Sequence, residues 1–344
     1  MRVMTKAIVL LIIFGVIGVA GAYYYYQESL QPTQPGPAVV VDIPPGSSTQ
    51  KIAEILEENN LIRDSKTFVL YVRQSGKGSQ LKAGQYEFTP GESVDRLLTK
   101  MVMGDVYQRT IQFTIPEGWT VPQIASFLAE KGWVNEEKFL QLVNEGEFDF
   151  PFVRGIPNDK SLGFRLEGYL FPKTYEVREG ATEKEIIERM LAQFQTEWDP
   201  TWTDQLIQKN MSIHEAVTLA SIVEREVIVD IEQAKVAGVY FNRLETDMLL
   251  QADATVQYAL GKQKDIVTYK DLELDHPYNT YRYKGLPPGP IASPGRAALH
   301  SVVEPEKHGY FFYVTKKDGS GEHYFSETYQ QHLKNIALSK RANK

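Results

Sequence analysis

The sequence predicts an α+β protein with an N-terminal transmembrane helix, a small βααβ subdomain and a larger mixed α+β domain. Three observations support this prediction. An uncharged segment covers residues 7–26, and a unit of strand, Pro/Gly turn and capped helix recurs before residue 135. After residue 135, amphipathic helical segments alternate with aromatic turns, and a hairpin pattern lies near the end of the chain. The 344 residues are enough for an anchor and two or three domains.

The N-terminal segment has the length of a membrane span. Residues 7–26 would extend over about 30 Å as a helix, the thickness of the hydrocarbon core. Arg2 and Lys6 precede the segment and four tyrosines, 23–26, close it. This pattern predicts a single-pass inner-membrane (plasma-membrane) protein with a cytoplasmic tail, 1–6, and an extracytoplasmic, periplasmic remainder. The alternative is a cleaved signal peptide ending near Ala20-Gly21-Ala22, but the apolar run is long for one.

A proline-rich linker, 27–37, leads into the predicted subdomain, 38–110. Here Val39–Ile43 resembles a strand, Pro44-Pro45-Gly46 ends it, and Ser48-Thr49 can cap a helix from Gln50 to Asn59. The pattern returns at 111–132 and, more faintly, at 86–101. The unit resembles the LysM module, a small βααβ fold that binds N-acetylglucosamine-containing glycans. Plain structure is the alternative, since such units are common.

The larger domain is predicted to cover 111–344, with the third copy of the unit at its start. Its predicted helices, turns, linkers and strands follow a mixed order: a helix after Asn135, a loop at 154–163, an aromatic turn at 166–175, a helix at 182–198, a linker at 199–204, helices at 230–244 and 296–303, a hairpin from 310–314 to 323–325, and a basic helix at 332–340.

The most informative segment is the helix containing Leu219–Glu226. It is apolar around most of its circumference, yet it carries Glu224, Arg225 and Glu226. At about 100° per residue the two carboxylates lie on nearly opposite sides. We therefore expect one to face a cleft and the other to pair with a base elsewhere. A carboxylate in an apolar wall suits a general acid; a structural ion pair in a buried helix is the alternative.

Two further segments carry polar residues without clear periodicity. They are Leu250–Tyr258 and Tyr278–Gly295, the second with four prolines and three glycines in its last eleven residues, 285–295. Such a composition fixes a loop geometry, and long ordered loops are usually functional. The tyrosines and Asn279 would suit sugar hydroxyl and acetamido groups. A structural crossover, with aromatics filling a core, is the alternative.

Composition excludes several classes of function. The net charge is −7 without a dense Lys/Arg patch, which argues against nucleic acid as a partner. The chain contains no cysteine, and its six histidines are scattered without a metalloprotease spacing. No phosphate-binding glycine loop or dinucleotide fingerprint appears. We therefore predict no metal and no cofactor, and carboxylate chemistry beside aromatics, for which glycosidic bond cleavage is the best match.

Several motifs in the same order resemble the YceG-like family of endolytic murein transglycosylases. These motifs are Glu167–Pro172, Leu219–Glu224, Phe241–Leu244, Gln251–Val256, Tyr278–Tyr281 and Gly285–Ile291. The family often has Lys after the glutamate where this chain has Arg225, so the charge is kept. The resemblance covers nearly the whole chain.

The resemblance implies a membrane-bound lytic transglycosylase that cuts nascent peptidoglycan strands internally and ends their elongation. Glu224 would protonate the oxygen between N-acetylmuramic acid and N-acetylglucosamine. It would then accept the proton of the muramyl 6-hydroxyl, which attacks C1 and leaves a 1,6-anhydro end. The implied partners are glycan strands, the plasma membrane and peptidoglycan synthases. The implied substrate-binding residues are Glu167, Ser221, Gln251, Asp253, Thr255, Tyr258, Asn279, Tyr281 and Pro288.

Two other functions stay open at this point. One is a hydrolase (muramidase) of the same substrate, in which Asp253 positions a water molecule or acts as the nucleophile. The other is a non-catalytic glycan-binding scaffold of the division or elongation machinery. The first predicts reducing ends instead of anhydro ends, and the second predicts that Glu224→Gln leaves function intact.

Overall fold

The computed structural model describes the backbone of residues 2–264 and 266–342, and side chains from Leu10 onward. Met1, the first residue of the predicted tail, and the basic side chains of Arg2 and Lys6 lie outside this description. The chain divides into two compact units between Arg109 and Thr110. Both units combine helices with strands, so the predicted mixed α+β class is confirmed.

The first unit begins with helix α1, Arg2–Ser29. Within it, Leu10–Ser29 has a mean hydropathy of 1.4 and every residue except Ser29 is unburied, which is compatible with a membrane span or a signal sequence. The rest of this unit comprises β1 (Val39–Ile43), α2 (Thr49–Glu58), α3 (Ser65–Ser75), β2 (Gly84–Phe88) and α4 (Val94–Met103).

The two strands of this unit pair antiparallel, with Val41 opposite Tyr86. Side-chain oxygens of Ser48, Asp64 and Ser93 cap α2, α3 and α4. A separate core of Val41, Leu56, Phe68, Tyr86 and Leu97 fills the unit. The order β1–α2–α3–β2 is the one predicted, whereas the specific likeness to a LysM module stays a prediction.

The second unit contains the remaining elements. These are β3 (Thr110–Thr114), α5 (Val121–Glu130), α6 (Glu136–Glu145), α7 (Pro151–Arg154), β4 (Thr174–Arg178), α8 (Glu183–Glu197), α9 (Pro200–Gln208), α10 (Ile213–Glu226), α11 (Gln233–Glu245), α12 (Asp253–Ala259), α13 (Tyr269–Leu272), α14 (Arg296–Val303), β5 (Phe312–Thr315), β6 (His323–Ser326) and α15 (Tyr329–Ala342).

Helix α10 is the centre of this unit. Ser212 and Glu215 form a capping box at its start, and nine of its residues, His214 and Ala216–Val223, are buried. Helices α11, α12 and α14 pack against it, and its apolar side chains belong to the main core. Strands β3 and β4 pair antiparallel, as do β5 and β6.

Two predicted irregular segments are helical in the structure. The predicted linker 199–204 forms most of α9, because Asp199 caps the helix and Pro200 occupies its first position. The polar segment Leu250–Tyr258 contains α12, which has no side-chain cap and only seven residues. Tertiary packing of Ala254, Thr255 and Val256, all buried, supports α12 in place of local signals.

Candidate active site

Glu224 lies in the last turn of α10, where the buried helix emerges from the core. Its Oε2 accepts a hydrogen bond of 3.0 Å from the backbone N–H of Gly295. Burial, together with the nearby charges of Glu117 and Asp230, raises the pKa of Glu224 to about 7, against the opposing effects of the Gly295 hydrogen bond and the charge of Arg225. Glu224 is thus a carboxyl that can both hold and release a proton near neutral pH.

The loop that presents Gly295 follows α10 along one face of the helix. Ser221 Oγ accepts a 3.0 Å hydrogen bond from Ile291 N, and His214 Nε2 donates to Pro288 O at 2.9 Å. Since that carbonyl only accepts, Nε2 carries the proton and Nδ1 accepts from Tyr169 at 3.0 Å. Burial lowers the pKa of His214, which favours this neutral form. The loop is therefore fixed to the helix at three positions.

A second loop, Pro116–Trp119, meets the first one beside Glu224. Gly118 N donates to Ser293 O at 2.9 Å, and Ser293 N donates to Trp119 O at 2.8 Å. Arg225 Nη1 donates to Gly118 O at 3.1 Å. None of the residues of this second loop was predicted from the sequence to be functional. The Pro-Glu-Gly turn, with a carboxylate at a tight bend, was the available signal.

Glu117 and Gly295 are in close contact across this junction. A Cβ atom added to Gly295 would lie 1.8 Å from Glu117 Oε1, although the backbone of Gly295 (φ −75°) suits any residue. Glu117 can approach the backbone at position 295 only because Gly295 has no side chain. Burial and the charge of Asp230 raise the pKa of Glu117. The acidic environment of Glu224 therefore comes from segments that are far apart in the sequence.

Within residues 2–264 and 266–342 Glu226 forms no ion pair, contrary to the expectation from the helical wheel, although the charge of Arg243 acts to lower its pKa. Among the residues that the structure describes, its Oε2 accepts from Tyr313 Oη at 3.1 Å, and its Oε1 accepts a long bond of 3.5 Å from Ala254 N. Burial raises the pKa of Glu226, and the charge of Asp253 raises it as well. A tyrosine hydroxyl stabilises this carboxyl, and it faces a different environment from Glu224.

Four of the predicted substrate-binding residues are buried. Glu167, Ser221, Thr255 and Asn279 are each 0 % exposed. Glu167 accepts from Val121 N at 3.0 Å and from Tyr258 Oη at 3.2 Å, and burial raises its pKa to about 8. It is thus a buried carboxyl at the start of α5. Its carboxylate oxygens are engaged within the protein, and its predicted contact with substrate stays a prediction.

The other buried members also use their polar atoms internally. Thr255 Oγ1 donates to Ala252 O, and Asn279 Nδ2 donates to Leu272 O and Leu274 O. Ser221 supports the loop as described above. The internal hydrogen bonds of these residues support the structure of the site. The motifs predicted that the residues lie near the site, but they did not distinguish this role from substrate contact.

The remaining predicted residues have accessible surface. Gln251 and Asp253 are exposed, and Tyr258, Tyr281 and Pro288 are partly exposed. Tyr281 Oη donates to Asp253 Oδ1 at 2.5 Å, and burial and this contact raise the pKa of Tyr281. The charge of Asp253 acts on Glu226, whose pKa it raises.

A cavity of about 270 Å³ opens next to Arg225. Its wall combines the start of α5, the end of α12 and the following turn with Ile291 of the loop. No cluster of acidic, histidine or cysteine side chains suited to a metal occurs among the described residues. The prediction of no metal and no cofactor is untested by this finding.

Comparison with known proteins assigns this arrangement to a family. Residues 41–338 match the model of the YceG-like family. A Bacillus subtilis protein named endolytic murein transglycosylase is 34% identical over 327 residues, which cover 92% of this chain and 89% of the relative. A Streptococcus pneumoniae protein of the same name is 32% identical over 345 residues, covering 92% of this chain and 62% of that relative.

A solved structure supports the same assignment. The crystal structure of a YceG-like protein from Listeria monocytogenes is 35% identical, with a TM-score of 0.58, covering 86% of this chain and 98% of that one. The chain therefore belongs to the YceG-like family, and the family predicted from the sequence motifs is confirmed.

Proposed function

We propose that this protein is a membrane-anchored endolytic lytic transglycosylase of peptidoglycan. Membership of the YceG-like family and the names of its relatives support the substrate and the reaction class. The apolar α1 supports the anchor, with the tail 1–6 cytoplasmic and the remainder outside the inner membrane. Within this proposal, residues 38–110 form the LysM-like subdomain and 111–344 the catalytic domain. Peptidoglycan synthases are the proposed partners.

The observation that carries the proposal is the state of Glu224. Its pKa of about 7 allows a large protonated fraction at neutral pH. In the first half of the reaction Glu224 donates its proton to the glycosidic oxygen between the muramyl and glucosaminyl residues. The C1–O bond breaks as this oxygen becomes a free hydroxyl.

In the second half the ionised Glu224 accepts the proton of the muramyl 6-hydroxyl. The 6-oxygen bonds to C1, which closes a 1,6-anhydro ring, and Glu224 regains its proton. The bond that forms replaces the bond that breaks, so no water is consumed. Because one carboxyl performs both transfers, no second catalytic carboxylate is needed. The location of Asp253, paired with Tyr281 and acting on Glu226, is consistent with this.

The test is a pair of isosteric substitutions on the same helix. Glu224→Gln removes the proton donor, and general acid–base catalysis contributes about 10²- to 10⁴-fold. We therefore expect at least about a hundredfold loss of anhydro-muramyl ends, measured by mass spectrometry of digested uncrosslinked strands. Glu226→Gln is the matched control and should retain activity. Anhydro ends formed by Glu224→Gln at the wild-type level would refute the role of Glu224, and no cleavage by either protein with glycan binding retained would favour a non-catalytic scaffold.

A further inference from the structure

The cavity beside Arg225 has a wall that is rich in hydrogen-bond donors. Arg225 and Lys262 contribute positive charges, and Gln123, Gln257 and Gln263 contribute amides. No aspartate or glutamate forms part of its lining within the described ranges 2–264 and 266–342. Such a wall complements an anionic group.

Hydrogen bonds within the protein fix the orientation of two of these amides. Gln123 Oε1 accepts from Thr120 N at 2.9 Å, and Gln257 Oε1 accepts from Lys264 N at 3.1 Å. With each amide oxygen engaged in this way, the NH₂ group is the part available to a ligand. Arg225 uses one guanidinium N–H for Gly118 O and has others to donate.

The rest of the wall is apolar and firmly supported. Tyr258 contributes its ring, because its hydroxyl donates to the buried Glu167 at 3.2 Å. Phe164, Pro122 and Ile291 add further apolar surface. The volume of about 270 Å³ lies near the lower limit of small-ligand pockets, about 300–1,000 Å³. The cavity therefore fits a short branch of a polymer and is too small for a strand.

The location of the cavity relates it to the reacting sugar. Arg225 directly follows Glu224, and Ile291 belongs to the loop that provides the Gly295 N–H to Glu224. A muramyl residue carries at C3 a lactyl group with a short peptide that ends in free carboxylates. C3 and the attacked C1 belong to the same ring. The branch closest to the bond that Glu224 would protonate is thus an anionic peptide.

We propose that this cavity binds the carboxylate-bearing peptide stem of the muramyl residue at the cleavage site and thereby selects strands that carry stems. This inference rests on the proposed function and deepens it. Arg225 and Lys262 would pair with a stem carboxylate, and the NH₂ groups of Gln123 and Gln257 would donate to its peptide carbonyls.

The experiment compares two forms of one substrate. Detergent-solubilised full-length protein is given uncrosslinked strands with stems, and the same strands after an amidase has removed the stems. The readout is the ratio of kcat/KM for stem-bearing over denuded strands, from the yield of anhydro ends. Wild type should prefer stem-bearing strands, and Lys262→Ala should reduce the ratio about tenfold, as loss of a charge-assisted hydrogen bond implies.

Lys270→Ala is the matched control, since Lys270 is an exposed lysine of α13 and does not line the cavity. Its ratio should equal that of wild type. A wild-type ratio near one, or an unchanged ratio in Lys262→Ala, would overturn the inference.

If the proposed transglycosylase function is wrong, the experiment gives a result that differs from failure of the stem-binding inference. In that case neither strand form is cleaved, and binding of N-acetylmuramyl-tripeptide, measured by calorimetry, tests the cavity. Binding that is weakened in Lys262→Ala and retained in Lys270→Ala supports the stem site. Absence of binding, or equal binding by all three proteins, overturns it.

Discussion

At the scale of single residues, the environment of Glu224 explains how one carboxyl can be both acid and base. An ordinary glutamate with a pKa near 4.5 would be almost entirely ionised at neutral pH. Burial at the end of α10 disfavours the charged form, and Glu117 and Asp230 add negative potential. The N–H of Gly295 and the charge of Arg225 act in the opposite direction and keep the ionised form accessible.

This balance predicts the pH dependence of the reaction. The protonated form of Glu224 is required for the first step, so kcat/KM should fall as the pH rises through about 7. Glu117→Gln removes a negative charge, which makes Glu224 easier to ionise. The midpoint of the alkaline limb should therefore move to lower pH, as read from a pH–rate profile.

Glu130→Gln is a suitable control for this profile. Glu130 is an exposed glutamate at the far end of α5 and does not act on Glu224. Its midpoint should match wild type. A midpoint in Glu117→Gln that is unchanged, or shifted to higher pH, would contradict the electrostatic role of Glu117.

At the scale of elements, α10 and the loop 286–295 form one unit of the site. His214, Ser221 and Glu224 all hold backbone groups of that loop. The turn Glu167-Gly168-Tyr169 packs closely on both, since a Cβ at Gly168 (φ +82°) would lie 2.5 Å from Pro290 and 2.9 Å from Val217. The family motifs in α10, in the loop 286–295 and in this turn are therefore packed against one another.

Ser221→Ala tests whether the loop depends on the helix. The substitution leaves the buried Ile291 N–H without its acceptor, which costs about 1–3 kcal/mol. We expect lower free energy of unfolding and a lower kcat, because Gly295 is no longer held against Glu224. Both are measurable by urea denaturation and by the rate of strand cleavage.

Ser301→Ala provides the comparison for this experiment. Ser301 is also buried in a helix, but its hydroxyl only donates to Ala298 O, so no N–H is left unsatisfied. It should have a smaller effect on stability and none on kcat. Equal effects of the two substitutions would mean that the Ser221 contact does not position the loop.

The sequence predicted elements well where local signals were strong. The caps at Ser48 and Asn135 and the apolar face of α8 led to helices that the structure contains. Helix α12 was missed because its seven residues have no side-chain cap, and α9 because Asp199 and Pro200 resembled a linker. Packing decided the conformation of α12, whereas α9 carries a side-chain cap at Asp199 and a proline at its first position.

The site was predictable only in part, for a similar reason. Glu224 stood out because a carboxylate in an apolar helix is unusual. The contacts of Glu224 with Gly295 and of Arg225 with Gly118 join residues 71 and 107 positions apart. Periodicity along a chain contains no information about such approaches. The motifs likewise could not show that Thr255 and Asn279 would be buried.

At the scale of the whole molecule, the residues that the structure describes form two hydrophobic cores. One core lies within residues 41–101 and the other within 113–303. Each is built from its own helices and strands, so each can unfold as a cooperative unit. The mixed α+β class was predictable from the sequence, whereas the positions of strand partners such as Ile111 and Val177 were not.

Two large-to-small substitutions test this independence. Leu56→Ala and Leu128→Ala each remove a fully buried side chain, from the first and second core respectively, at a cost of about 2–5 kcal/mol. Calorimetry of the detergent-solubilised protein should show two transitions. Each substitution should lower only one of them. A single transition lowered by both would contradict two independent cores.

The central claim is that Glu224 catalyses an internal ring closure without consuming water. Digestion of uncrosslinked peptidoglycan strands in ¹⁸O-labelled water, followed by mass spectrometry of the new muramyl ends, tests it most directly. Internal ring closure predicts 1,6-anhydro ends that contain no ¹⁸O, formed by wild type and lost in Glu224→Gln. Reducing ends that contain ¹⁸O would contradict it, and would identify a hydrolase in which Asp253 is the next residue to test.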